Sequence, residues 1–231
     1  MKNYRILFAL LVFVLLEGCG GAPIYTAAPI EAWVVDAETG QPIEGANVVM
    51  NWQLVVGGLD GPSNRGQLEV METVTDKSGR FYFDGFTKLN PMMYELRNHD
   101  PRIVIFKSGY AYQILVNQYP KAGTETPGIH RTSQHNGRSV KLKKMETIFF
   151  PVDGSSGFYT FLNIEIENIV FDGCEWKKMP RFIVAMDREE KRIKALGSKS
   201  IIGLVTIDDI SSRRGNFWCG SVADFFKEYM K

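Results

Sequence analysis

Apolar and polar positions fall into distinct regimes along this chain. Behind Lys2 and Arg5, an unbroken apolar run spans Ile6 to Leu16, and nothing polar alternates within it. From Ile30 to about Met145, apolar positions alternate over short stretches bounded by turn residues, which predicts half-buried strands. Past Pro151 the spacing widens to every third or fourth residue, the period of helices with one buried face.

Within the strand regime, Ala32 to Val35 is a short apolar strand, and Asp36 to Gly40 supplies turn residues, Gly40 being free to take positive φ. Ala46 to Val56 is rich in β-branched and aromatic residues and is broken by Gly57, Gly58, Gly61 and Pro62. Gln67 to Thr75 then runs to a hairpin-type turn at Asp76 to Gly79, followed at once by Arg80 to Asp84. Arg102 to Phe106, Tyr112 to Val116 and Ser139 to Leu142 bring the count to about seven strands. Short strands at this spacing predict a mainly β chain built as a sandwich, because two sheets can bury their alternating faces against each other.

In the helical regime, Phe158, Leu162, Ile166 and Ile169 share a face, with Ser155 or Ser156 as cap and Gly173 as stop. A second helix is predicted from Pro180 to about Leu196, with Phe182, Met186, Ile193 and Leu196 inward. A third starts at Ser221, with Asp224 three residues on, ahead of Phe225, Phe226 and Tyr229. Ile201 to Ile207 reads either as a short strand or as a helical turn, and Asp208 and Asp209 suit a helix start or a loop. The predicted organisation is a leader over 1–18, a tether over 19–29, a β-sandwich over 30–148 and a small helical region over 149–231.

The first regime is a targeting signal. Its eleven apolar residues rise about 16 Å as a helix, half of a bilayer core, so a spanning helix is excluded. The basic start, the apolar run and the ending Leu16-Glu17-Gly18-Cys19 resemble the signal of bacterial lipoproteins, although Glu17 stands where that family has a small or hydroxylated residue. The resemblance implies cleavage before Cys19, acylation of Cys19 by palmitate and its relatives, and a membrane-held protein of the bacterial cell envelope facing the periplasm or the exterior. A plain secretory signal cut near Gly20, Ala22 or Ala28 is the alternative.

A second resemblance covers residues 30 to 145. The run from Val34 to Val48 with Gly40-Gln41-Pro42 and Gly45-Ala46, then Thr75 to Phe83 with Asp76-Lys77-Ser78-Gly79, then Ile105 to Tyr110, is similar to the carboxypeptidase regulatory-like domain. It implies a seven-stranded, transthyretin-like sandwich acting as an accessory module without peptidase chemistry. Two insertions depart from that pattern, Asn51 to Gln67 and Pro120 to Arg138, and both are expected to be loops at the ends of the sandwich.

Charge removes several functions. Without Lys2, Arg5 and Glu17 the chain carries 25 basic and 25 acidic side chains, so nothing electrostatic recommends nucleic acid. The densest basic stretch, Arg138, Lys141, Lys143 and Lys144, alternates with Val140 and Leu142 and reads as the solvated face of a strand. With Cys19 assigned to lipid, Cys174 and Cys219 remain, and in an oxidising compartment they form a bridge or else stay as buried thiols. Two cysteines without a local Cys-x-x-Cys or nearby histidines cannot close a zinc site.

Candidate chemistry is sparse. The intradiol ring-cleaving dioxygenases also show a strand, a Gly-x-Pro turn, Gly-Ala and a following Trp, as Gly40 to Pro42, Gly45-Ala46 and Trp52 do here. Their iron needs two tyrosines and two closely spaced histidines, whereas His99, His130 and His135 are the only histidines and form no His-x-His pair. His130 and His135, five apart in a polar loop, are expected to be solvent-exposed. Nucleophile elbows, His-Glu-x-x-His and phosphate-binding loops do not occur. Trp52, Trp176, Trp218 and Tyr110 to Tyr119 could serve as aromatic platforms for a glycan or as core. The expectation is a non-enzymatic envelope lipoprotein, a scaffold or protein-interaction module, with no catalytic residue, metal or cofactor. The alternative is a carbohydrate- or peptidoglycan-binding accessory protein. Its partners are the membrane, reached through the lipid, and an envelope protein or glycan.

Overall fold

A computed structural model describes residues 21–59, 61–97, 100–117, 130–145, 159–195, 203–213 and 218–231. Strands come first: β1 (Ile24–Ala27), β2 (Ile30–Asp36), β3 (Asn47–Val56), β4 (Ser63–Val74), β5 (Arg80–Phe83), β6 (Phe86–Leu89), β7 (Glu95–Leu96), β8 (Arg102–Phe106), β9 (Gln113–Leu115), β10 (His130–Arg131) and β11 (Ser139–Leu142). Helices follow: α1 (Thr160–Val170), a 3-10 turn (Glu175–Lys178), α2 (Pro180–Ala195), α3 (Ile207–Ser212) and α4 (Val222–Phe226). The protein is mainly β, with short helices confined to its C-terminal part.

The small sheets, ordered β10-β1-β6 and β11-β2-β5, are one bent surface. Ile24 to Ala27 pair with Leu89 to Phe86, and Ile30 to Trp33 pair with Phe83 to Arg80, in a single unbroken register. The break falls at Pro29, which has no N–H to give to a ladder. Opposite it stands Gly85, where a Cβ would come within 2.7 Å of the Ala27 carbonyl oxygen. Residues 24–27, expected within a tether, therefore form a strand, because Tyr25 and Ala27 are buried against the sandwich.

The larger sheet runs β4-β3-β8-β9, with β7 added to the far end of β3. The segment from Asn51 to Gln67 is mostly no loop: β3 and β4 extend through it as a long hairpin, with register shifts near Trp52 and Gln53. Ala32, Val34, Phe81, Phe83 and Leu142 from the bent sheet meet Val48, Met50, Trp52, Ile103 and Ile105 from the larger one in a common core. The intervening Val49, Val70, Val104 and Phe106 point the other way, into a second core closed by the helices. Burial on both faces explains why Arg102 to Phe106 is buried throughout and why β3 reads as an almost continuous apolar run. The molecule has three layers: bent sheet, larger sheet, helices.

The helical layer is capped partly from its own sequence and partly from the sheet. Ser221 accepts from the Asp224 N–H at the start of α4, and Thr206 and Asp209 form a reciprocal capping box at α3. At α2 the Glu72 carboxylate of β4 accepts from the Arg181 N–H at 3.2 Å and the Phe182 N–H at 2.5 Å. On the inward face of α2, the buried Glu189 accepts from Ser108 Oγ at 2.6 Å and binds Arg192 through Nε and Nη2. Burial alone would raise the Glu189 carboxyl, but Arg192 and Ser108 outweigh it and hold it below its ordinary value. Among the described residues no helix is long and apolar enough to cross a membrane.

Candidate functional site

The seam where α1 lies on the larger sheet holds a cluster of buried polar side chains, Asn51, Gln53, Asp100 and Arg102. Asn51 Nδ2 donates to Gln67 Oε1 at 3.2 Å, and Gln67 Nε2 donates to the Asn168 carbonyl of α1 at 3.1 Å. Arg102, on the strand beside Asn51, pairs with Glu165 of α1. Arg97 Nη1 donates to Gln53 Oε1 at 2.5 Å.

Asp100 is the centre of this cluster and is wholly buried. Its Oδ2 accepts from the Gln53 N–H at 2.5 Å, while Oδ1 stands 3.8 Å from Arg102 Nε without a hydrogen bond among the described residues. Burial pushes the carboxyl up to about 7, against the downward pull of the Gln53 N–H and of Arg102, Arg97 and Arg131. Burial and the neighbouring Arg102 also lower Arg97 from its ordinary value. A carboxyl that titrates near neutrality beside guanidinium groups can hold or release a proton, which marks a functional candidate. No contact that the sequence alone exposes predicts this site, since Asp100 and Arg102 are distant along the chain from their partners Gln53 and Glu165.

Along the same seam a groove of about 550 Å³ opens between Asn64 to Gly66 and the C-terminal end of α1. Arg65 and Arg213 face Glu167 and Asp172 across it, so its charge is mixed and its lining polar. The Arg213 guanidinium lies 3.4 Å over the Phe171 ring. Gly66 holds φ 108° at the rim, a backbone state that side chains rarely adopt.

Of the residues singled out in the sequence, Cys174 and Cys219 form a disulfide, with Cα atoms 5.5 Å apart. The bridge joins the turn after α1 to the turn before α4, over the buried Trp176, whose ring meets Phe225 edge-on at 5.0 Å and Phe226 at 5.6 Å. Cys19 lies outside the described residues. Trp52 and Trp176 are core side chains and provide no platform, because both cores close over them; Trp218 is 88% exposed. Lys141 and Lys143 are exposed between buried Val140 and Leu142, as alternation requires. His135 Nε2 lies 3.2 Å from the Val116 carbonyl oxygen and is half-buried, where full exposure was expected. The His130 backbone belongs to β10, and His99 lies outside the described residues.

No protein-family model and no curated protein matches the sequence. Solved structures do. A 3-chlorocatechol 1,2-dioxygenase from Rhodococcus opacus is 16% identical over 56% of this chain and 62% of its own, with a TM-score of 0.32. An intradiol ring-cleavage dioxygenase from Tetranychus urticae is 16% identical over 56% of this chain and 85% of its own, with a TM-score of 0.29. A streptococcal ancillary pilin is 13% identical over 51% of this chain and 29% of its own, with a TM-score of 0.25. The chain thus spans less than two thirds of the dioxygenase from Rhodococcus and of the pilin.

These neighbours correct the expectation of a non-enzymatic protein. Ring-cleavage dioxygenases stand among them beside pilins, and that expectation is withdrawn. Similarity at this level carries neither activity nor iron across. The described residues offer no group of three or more His, Cys, Asp or Glu able to hold a metal ion.

Proposed function

We propose that this is a lipid-anchored protein of the bacterial cell envelope, attached through acylated Cys19, whose sandwich and helical layer together form one interaction module. What supports the reading is the Cys174–Cys219 bridge. Disulfides persist in oxidising compartments outside the cytoplasm, and pairing these two cysteines leaves Cys19, of the chain's three, as the thiol for lipid. The basic start and apolar run then act as the export signal. The sandwich is a transthyretin-like module of seven principal strands, β2 to β5, β8, β9 and β11, to which β1, β6, β7 and β10 are additions. A bridge within the helical layer ties the segment after α1 to the start of α4, which suits a protein that must keep one binding surface outside the cell's folding machinery.

Radiolabelled palmitate supplied to a bacterium making the full chain should enter the protein, and should not enter Cys19→Ser. A chain that takes up no label, or keeps it after that substitution, refutes the anchor. The glycan-binding alternative retains one observation, the exposed Trp218. It predicts retention on immobilised peptidoglycan that Trp218→Ala abolishes.

A further inference from the structure

Exposed large apolar side chains gather at one end of the sandwich. Ile24 of β1 and Leu89 of β6 are cross-strand partners on the outward face, 42% and 75% exposed. Next to them, the turn after β6 presents Met92 and Met93, 65% and 54% exposed, and Met93 is held in the left-handed region at φ 48°. Leu59, at the tip of the β3–β4 hairpin, is fully exposed and shares with Met93, Tyr94, Val55 and Val56 a largely apolar hollow of about 490 Å³. Scattered apolar residues on a surface need no explanation, but a contiguous group on two loop tips and a strand edge marks an interaction surface.

The N-terminal segment leads to this end of the molecule. Gly21 N–H donates to the Met93 carbonyl at 2.6 Å. Asn90 binds the Pro23 carbonyl through its N–H and the Ala22 carbonyl through Nδ2, at 2.7 and 2.8 Å. Gly21 fits so closely that a Cβ there would fall 1.8 Å from the Tyr94 carbonyl oxygen. Two residues of extended chain reach at most about 7 Å. Cys19 is therefore confined within about that distance of Gly21.

We infer that this end of the sandwich is a membrane-contact face, with Ile24, Leu59, Leu89, Met92 and Met93 entering the lipid surface around the acyl anchor. The inference rests on the anchor reading. A chain held at Cys19 with no slack brings this end against the bilayer, and loop tips bearing Leu and Met partition into the zone between headgroups and acyl chains. Apolar area buried in that zone adds to the attachment that the lipid supplies. Lys88, beside the patch, is already paired with Glu69, and the one charged residue lining the hollow among the described residues is Glu95, so the contact does not need anionic lipid.

The test places a tryptophan on the face. Full-length protein carrying Leu59→Trp or Met92→Trp is reconstituted into uncharged phosphatidylcholine vesicles whose chains are brominated near the headgroup, and its emission is compared with that of the unsubstituted protein. Both sites are exposed, so neither change disturbs a core. The expected result is loss of most of the added emission in brominated vesicles, at low and high salt alike. Added emission that stays unquenched at both sites overturns the inference, whether water or a second copy of the chain surrounds the new side chain. Palmitate labelling of the same preparations separates the two claims. Label without quenching removes the face and leaves the anchor, whereas quenching without label removes the anchor and leaves the face.

Discussion

Asp100 provides a direct test of the helix-to-sheet seam. Burial lifts its carboxyl to about 7 from an ordinary 3.8. In the unfolded chain the same group ionises near 4. Between those values the folded protein holds a proton that the unfolded chain has lost, so stability falls as pH rises through that window, and the decline from this group is complete above the folded value. A displacement of about three units corresponds to a ceiling of about 4 kcal/mol. Asp100→Asn keeps an oxygen for the Gln53 N–H and cannot ionise, while Arg97, Arg102, Arg131 and the Arg102 partner Glu165 remain. Urea unfolding should show wild type losing stability between about pH 4 and about pH 8, and the variant losing up to about 4 kcal/mol less. The variant should then be the more stable protein at the upper end. A wild-type minus variant difference that is the same at both pH values would refute the argument, because the carboxyl would then titrate alike in both states.

The disulfide closes a loop across a sequence separation of 45, worth about 4 kcal/mol in the chain-entropy account. The double variant Cys174→Ser, Cys219→Ser should melt on the order of 10 °C lower by calorimetry, and an unchanged melting point would show that the helical layer needs no staple. Gly79 sits at φ 74° with its Cβ direction aimed 2.4 Å from the Val34 carbonyl oxygen, so Gly79→Ala should cost at least about 1–2 kcal/mol in denaturant titration. Glu72→Ala strips the cap from α2 and should cost about 1 kcal/mol, with amide exchange rising first at Arg181 and Phe182. Equal exchange in both proteins would mean that Pro180 alone sets the start of that helix.

Much of the architecture was legible in the order of residues. The principal strands, the Asp76 to Gly79 turn and the helices starting near Pro180 and Ser221 follow from alternation, turn chemistry and caps, all of which act between residues a few positions apart. Even the bridge was within reach, because three cysteines and an export signal leave few pairings. Strands β1, β6, β7 and β10 were not legible, being two to four residues long and paired only because the rest of the sandwich brings their partners alongside. Thr206 and Asp209 could have announced α3, since a hydroxyl followed three residues later by a carboxylate is a helix-start pattern.

The sequence by itself determined the change from strands to helices and raised the expectations of an envelope compartment and of a cysteine bridge, because each depends on composition or on local spacing. Tertiary structure alone decided where charge and apolar surface meet. Glu72 caps a helix whose start lies more than a hundred residues away, Asp100 acquires its raised carboxyl by burial against β3, whose Gln53 N–H it accepts from across 47 positions, and Leu59 joins Met93 across the chain. Contacts of that range leave no period in the sequence. They exist only once two cores have formed and fixed which surfaces remain outside.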